Sequence, residues 1–390
     1  MIDKVIYIGY QPLTEKVVED FYFNELIKNQ IKVEYWDLTK IFFQIKLNDL
    51  IKSEYIKKIH SYDELEELLK EQDDKRTVII SQMSFEYRLL KFFKIISKYN
   101  FKLGFFARGG IPIYSTESQK LNIINKFKRV FKYSTLINFI KNRYTILLKK
   151  YNIIKPYSFV FTAGTNGIQT IGHGYWIEKN SSKIVKLNSF DYDKYITSFD
   201  LENIIKEKYC VYLDEYLPFH PDFDLLNITK IEHSVFYNLL NNFFDNIEKK
   251  YDIKVIIAAH PKSEKYKEFN YFNGRKVLFD STSLLVKDAE FVIGHCSTSI
   301  NFAILNCKPV ITVLTNDLIR VMKDYSTFIS NFSKNIDSQL LNIDETFESE
   351  FGVKPINYNK YKDYKYNYLT SIESENHKSS DIFLNTLSSI

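Results

Sequence analysis

Val255-Ile-Ile-Ala-Ala-His260-Pro261-Lys262 is an unbroken run of five apolar residues that ends on a histidine, a proline and a lysine. So short an apolar run predicts a strand buried on both faces, as parallel sheets contain. Pro261 removes an amide and stops the strand, so His260 and Lys262 are predicted to project from the loop at its carboxyl end. Some thirty residues on, Phe291-Val-Ile-Gly-His295-Cys-Ser297-Thr298-Ser299-Ile-Asn301-Phe-Ala303 reads as a strand, a small hydroxyl-rich loop and a helix, and Cys307-Lys308-Pro309-Val310 leads into another strand. Ligands of open α/β sheets sit outside the carboxyl ends of the strands, so both loops are candidate site elements.

Around these stretches the same alternation extends in both directions. Tyr209–Leu213, Lys276–Phe279 and Val310–Leu314 read as further strands of this half, with helices over His233–Lys250, Ser281–Ala289 and Ser299–Asn306. An earlier series has strands at Lys4–Tyr10, Lys32–Asp37, Thr77–Ser81, Phe101–Ala107, Tyr157–Phe161 and Ile184–Asn188, with a long amphipathic helix over Phe85–Tyr99. Strands alternating with helices predict βαβ units and parallel sheets. The expected fold is therefore α/β, with two doubly wound Rossmann-like domains facing each other across a cleft. The first is predicted over residues 1–200 and the second over 208–365, with a tail over 366–390. The polar stretch Thr197–Lys208 is the expected boundary.

The 390 residues are 45% hydrophobic and 26% charged, which excludes global disorder and coiled coil. No apolar run approaches the roughly 20 residues that span a bilayer. The start, Met1-Ile2-Asp3-Lys4-Val5-Ile6, carries an acid and no long apolar core, so it does not read as a signal peptide. Cys210, Cys296 and Cys307 form no CxxC pair and no even set, against a disulfide framework or a zinc site. The expected setting is the cytoplasm, with peripheral contact to the inner face of the cytoplasmic membrane. Abundant Ile, Asn, Tyr and Phe with only seven Arg among 53 bases fit an AT-rich genome, so the aromatic content is not by itself a stacking surface.

The net charge of +5 hides an asymmetry. No Asp or Glu occurs from Ser118 to Ile177, and that stretch carries ten bases: Lys120, Lys126, Lys128, Arg129, Lys132, Lys141, Arg143, Lys149, Lys150 and Lys155. Interleaved with aliphatic and aromatic residues, the segment 118–155 suits an anionic membrane surface. A core-packed helix pair with a solvated basic face is the alternative. No RNA- or DNA-binding motif accompanies the charge, so a nucleic-acid partner is not expected.

The chemistry legible in the second half is anion capture. A helix opening at Ser297–Ser299 offers unpaired amides, the positive end of a dipole and several hydroxyls. With His260 and Lys262 added, these groups suit a diphosphate or phosphodiester without a metal. The bland alternative is an N-cap at Ser297 or Thr298 and a satisfied loop histidine at His260. Asp191-Tyr-Asp193 matches the three-residue DxD metal pattern, though such matches arise readily by chance. His173 and His220 have no partners at ligand spacing. The loop Gly164–Gly174 lacks both GxGxxG and a P-loop lysine, against NAD binding and ATP hydrolysis. Arg108-Gly109-Gly110 and Gly164 suit either close backbone approach to a substrate or tight turns.

His260-Pro261 followed by Ser297-Thr298-Ser299 and Lys308-Pro309-Val310 resembles the donor half of GT-B glycosyltransferases of bacterial surface polysaccharides. The pattern is similar to the His-Pro and Ser/Thr motifs of bacterial sialyltransferases and Kdo transferases, which use CMP-activated sugars. It also resembles the glycerol-phosphate polymerases of teichoic acid synthesis and, more distantly, UDP-GlcNAc 2-epimerases. The resemblance covers about Tyr209–Thr315. In the first half it is architectural, apart from Asp191-Tyr-Asp193 and the Gly164 loop.

The resemblance implies that His260, with Pro261 and Lys262 in its loop, contacts the donor phosphate or nucleotide. Ser297, Thr298 and Ser299 would hold the phosphate oxygens, and Thr282 and Ser283 would approach the base or ribose. Arg108, Gly109, Gly110 and Gly164 would lie on the acceptor side. Sugar transfer with inversion needs a group to take the acceptor proton. Asp214 and Glu215, just after a strand, are the first candidates, and Asp191 and Asp193 the second. This chain lacks the Asp-Gly motif of the sialyltransferases, which leaves the base and the stereochemistry open, and a turn or cap role is the equal alternative for Asp214 and Glu215. The expected activity is transfer from a nucleotide-activated sugar, CMP-linked by preference, to a glycan or lipid-linked acceptor, with no metal or other cofactor. A CDP-glycerol or CDP-ribitol phosphotransferase, a UDP-hexose transferase and a non-catalytic assembly module are the alternatives.

Overall fold

The computed structural model describes residues 2–43, 51, 54–110, 133–172, 174–198, 201–202, 204–220, 223, 229–345 and 352–390. These fall into two compact units. One comprises the residues up to Gly110, 133–190 and Thr370–Ile390, and the other Asp191–Leu369.

The first unit is built on seven parallel strands: β1 (Lys4–Gly9), β2 (Lys32–Asp37), β3 (Ile56–Lys58), β4 (Thr77–Ser81), β5 (Lys102–Ala107), β6 (Phe159–Ala163) and β7 (Lys183–Leu187). Their order is β3-β2-β1-β4-β5-β6-β7. The second unit has six: β8 (Tyr209–Leu213), β9 (Lys254–Ala258), β10 (Val277–Leu278), β11 (Val292–Gly294), β12 (Val310–Leu314) and β13 (Gln339–Asn342). Their order is β10-β9-β8-β11-β12-β13, again with every pairing parallel. In both sheets the first strand lies inside, the next two stack on one side, and the chain then crosses to the other. That reversal creates a crevice between β1 and β4 and between β8 and β11, where doubly wound folds bind ligands.

Both faces of each sheet are covered, which explains why the central strands are apolar throughout. All five residues of β8 are buried. In the second unit Tyr212, Ile257, Ile293 and Val313 face a core shared with the helix His233–Tyr251, and Val211, Ile256, Val292 and Leu314 face the opposite core. The first unit is layered likewise. The tail lies within it: Phe383 and Leu387, on the helix Ser379–Ser388, are almost fully buried beside Phe106 and Phe161.

The predicted strands form within one or two residues of their expected bounds, while the short edge strands β3 and β13 lie outside the expected set. The stretch after β7, to which the sequence assigned no element, is the helix Phe190–Ser198. Of the basic segment, residues 118–132 lie outside the described set, and the remainder forms the helix Tyr133–Lys150 and the turn after it. Among the described residues no helix is long and apolar enough to cross a membrane.

Candidate functional site

The strand order decides which predicted groups meet. β8 lies between β9 and β11, so the His260 loop and the Ser297–Ser299 loop are not on neighbouring strands. They flank the carboxyl end of β8 on either side, about 10 Å apart at the ordinary strand spacing. Asp214 and Glu215 fill the interval. The two motifs and the first pair of candidate carboxylates thus share one edge of one sheet, at its switch point.

The His260 loop is held by its own backbone. Ser263, fully buried, donates its hydroxyl to the His260 carbonyl at 2.5 Å and its amide to the same oxygen at 2.9 Å. Pro261 and Lys262 stand exposed in the turn that this closes. The Lys262 amide donates to His260 Nδ1 at 3.1 Å. A neutral imidazole that accepts at Nδ1 carries its proton on Nε2, so the ring offers a donor at its far edge. The His220 ring packs edge-on against it, 5.2 Å between centroids. Ser263 was absent from the sequence-level candidates, although a serine two residues after proline is an ordinary turn signal.

At the other loop, Ser299 donates its amide to the Ser297 hydroxyl at 3.2 Å, and the Ile300 and Asn301 amides close tight turns onto the Ser297 and Thr298 carbonyls. Thr298 is exposed, and Ser297 and Ser299 half-buried. The helix that follows, Ile300–Leu305, has six residues, so its dipole is weaker than a long helix would supply. Thr282 and Ser283 open the seven-residue helix Thr282–Asp288 after β10, three strands from Ser297 at the sheet margin.

The carboxylates between the loops differ in their surroundings. Glu215 is fully engaged: Oε1 accepts the Cys296 amide at 2.7 Å, and Oε2 accepts the Tyr325 hydroxyl. The first contact spans the switch point from β8 to β11. Tyr325 was not among the predicted residues. Its helix, Lys323–Ile336, was nonetheless signalled by apolar positions at Ile329, Phe332 and Ile336. Asp214 is 6% exposed, and among the described residues neither of its oxygens has a hydrogen-bond partner. Desolvation pushes Asp214 up to about 6; nearby amides of Tyr216, His260 and Glu215 and the Tyr266 hydroxyl pull the other way without closing well-formed bonds on it. Desolvation, assisted by the Asp214 charge, pushes Glu215 up to about 7 against the opposing Tyr325 and Cys296 bonds.

Asp214 therefore holds its proton to a higher pH when folded than when unfolded. Its contribution to stability is complete below the ordinary carboxyl value of 3.8 and is lost as pH rises through about 6. Two units correspond to about 3 kcal/mol. Asp214→Asn is expected to flatten the fall in stability as pH rises from 3.8 to about 6, as read by urea denaturation. An unchanged slope would show that the Asp214 carboxyl does not titrate in that window.

His295, fully buried between Tyr212 and the Val313 carbonyl, is held neutral: burial lowers it to about 4. It supports the strand end rather than facing a ligand.

The second pair of acids lies elsewhere. Asp191 and Asp193 occupy the first turn of the helix Phe190–Ser198. Two positions apart on a helix, their side chains diverge and cannot close on one ion as a DxD loop does. Asp191 accepts from the Asn301 amide group at 2.7 Å, and Asn301 accepts from Tyr364 at 2.8 Å. Among the described residues no group of three or more potential metal-binding side chains comes together. His173 lies outside the described residues.

Arg108, expected beside a substrate, turns inward. Its Nε donates to the Asn188 carbonyl at 2.6 Å, Nη1 donates to the Tyr22 hydroxyl, and the guanidinium lies 4.1 Å from the Phe190 ring centre. A cation at the end of a buried strand finds its acceptors within the domain, which overrides a role read from position. Gly109 and Gly164 have φ of +82° and +63°, so both make left-handed turns. Gly110 is buried.

No protein-family model matches the chain, and no curated protein matches its sequence. Its fold is similar to that of the wall teichoic acid polymerase TagF, with 9% identity and a TM-score of 0.50 over 99% of this chain and 89% of that one. Solved structures with lower scores include UDP-GlcNAc 2-epimerase from Methanocaldococcus jannaschii, at 15% identity and 0.47 over the whole of both chains. WaaG, a glycosyltransferase involved in lipopolysaccharide biosynthesis, scores 0.43 at 11% identity, covering 93% of this chain and 92% of that one. At such identities the likeness is one of fold. Two doubly wound sheets in succession, with the TagF match, give this chain a GT-B-like architecture of two Rossmann-like domains.

Proposed function

We propose that the chain is a GT-B-type transferase whose second unit binds a nucleotide-activated sugar, CMP-linked by preference, for transfer to a glycan or lipid-linked acceptor of surface polysaccharide assembly. The observation that carries this reading is the assembly of the His260 loop, the Asp214–Glu215 pair and the Ser297–Ser299 loop at the carboxyl edge of β9, β8 and β11. Negative charge builds on the departing phosphate in such a reaction. In this reading His260 Nε2–H, the Lys262 ammonium and the hydroxyls of Ser297, Thr298 and Ser299 receive it from both sides of β8. These groups suffice for a site that needs no metal. Thr282 and Ser283, at the sheet margin, would meet the nucleoside.

Of the two carboxylates, Asp214 is the better candidate to take the acceptor proton, because Glu215 already holds an amide and a hydroxyl. A base held near neutrality combines ionisation with proton affinity. Glu215 then serves as a positioning residue for the Cys296–Ser299 loop.

A second reading shares the phosphate site and changes the group transferred: a phosphotransferase using CDP-glycerol or CDP-ribitol. It draws support from the fold likeness to a wall teichoic acid polymerase. Thermal shift with CMP, CDP, UDP and GDP separates the readings. Stabilisation by CMP alone supports the first, and by CDP alone the second. Stabilisation by UDP alone would indicate an ordinary hexosyltransferase. At a hundredfold excess over Kd the binding nucleotide is expected to add about 2.7 kcal/mol, several degrees in Tm. No shift with any of them would make the chain a non-catalytic assembly module.

A further inference from the structure

The helix Tyr133–Lys150 presents an apolar stripe to solvent. Ile140, Tyr144, Leu147 and Tyr151 are 57%, 47%, 48% and 69% exposed. Their spacing of four, three and four residues aligns them along about 16 Å of one face, with Tyr151 in the turn that ends the helix. The opposite face carries the buried residues Thr145, Leu148 and Lys149, and Leu148 belongs to the core of the first unit. A surface helix normally turns its apolar side inward and its polar side outward. Here the outward side itself carries four large apolar and aromatic residues in a row, which is not the isolated scatter that ordinary surfaces show.

Bases border the stripe. At 100° per residue, exposed Arg143 and Lys150 lie along one flank and exposed Lys141 along the other. No acid occurs in the chain from Ser118 to Ile177, and Glu178, the first to follow, is buried against Lys149. Large apolar and aromatic side chains bordered by bases suit the boundary between headgroups and acyl chains.

We propose that this helix face docks the first unit on an anionic lipid surface, with the four apolar side chains entering the interface and the flanking bases meeting lipid phosphates. Charge favours lipid over a second copy of the chain. Pairing two stripes face to face would bring basic flanks together with no acid from this segment to offset them. The inference concerns the first unit and stands apart from the donor reading of the second.

The test is flotation of the full chain with vesicles of phosphatidylcholine alone, or with one third phosphatidylglycerol, at low and high salt and without nucleotide. The wild type is expected to float with the anionic vesicles at low salt, and less at high salt. Leu147→Glu, and separately Arg143→Glu with Lys150→Glu, are expected to weaken that binding about tenfold or more. Both alter exposed positions, so thermal melts should stay unchanged. Absence of flotation, equal flotation with both vesicle types, or flotation that survives Leu147→Glu would each overturn the proposal. So would a concentration-dependent dimer in sedimentation that Leu147→Glu dissolves, because the stripe would then belong to a second copy.

Discussion

His260→Ala is expected to lower kcat/KM for donor turnover by about two to three orders of magnitude while leaving the thermal melt in place. That is the usual cost of removing one donor aimed at a developing anion. The ring is half-exposed, and the loop around it is held by Ser263 and the His260 carbonyl, which alanine keeps. His260→Asn tests whether a hydrogen-bond donor at that place is enough: it should recover part of the loss if the imidazole acts by donation. Steady-state kinetics with the nucleotide identified by thermal shift would measure both. Unaltered turnover and unaltered donor binding in His260→Ala would refute the donor-site assignment.

The second large effect is on stability. Lys149 is 3% exposed and paired with Glu178, which is fully buried; the ammonium also lies 4.3 and 4.5 Å from the ring centres of Phe85 and Tyr157. Burial lowers the Lys149 pKa, and Glu178 opposes that shift. Glu178 also accepts the Tyr157 amide at 2.9 Å and the Ser182 hydroxyl at 2.5 Å. Lys149→Ala would leave an uncompensated carboxylate among aromatic rings, so a loss of about 3–5 kcal/mol is expected. Lys149→Met combined with Glu178→Gln removes both charges, keeps an acceptor for the Tyr157 amide and the Ser182 hydroxyl, and should restore most of it, because desolvation nearly offsets the attraction in such pairs. Urea denaturation of the single and double variants measures this. A single variant as stable as the wild type would mean that water reaches the pair.

The same residue shows where reading a sequence by charge falls short. Lys149 counts among ten bases in an acid-free stretch, yet it points into the domain, and its partner Glu178 lies just beyond the end of that stretch. Helical phase, not charge count, separates it from Lys150 next to it. The central strands were legible because double-sided burial demands unbroken apolar runs, as in Val255–Ala259 and Tyr209–Leu213. β3 and β13 were not, because an edge strand such as Ile56-Lys57-Lys58 is short and half polar. The His260 and Ser297 loops were visible as motifs, whereas the insertion of Asp214 and Glu215 between them depends on strand order. Periodicity carries no information about that. Arg108 and Asp191 illustrate a further limit. Arg108 follows β5 directly and Asp191 lies in the first turn of the helix after β7, and both are committed to partners distant in sequence: Asn188 and Tyr22 for the one, Asn301 for the other.

The return of Thr370–Ile390 to the first unit sets an order on biosynthesis. Domains generally fold as they leave the ribosome, amino-terminal first. Here Phe106 and Phe161 gain their cover from Phe383 only after all of Asp191–Leu369 has been translated. The strands of the second unit, all within Asp191–Leu369, can complete their sheet while the first still has an open apolar face. The part of the molecule made first is therefore finished last, and in the nascent chain its exposed rings are a surface for chaperones to cover.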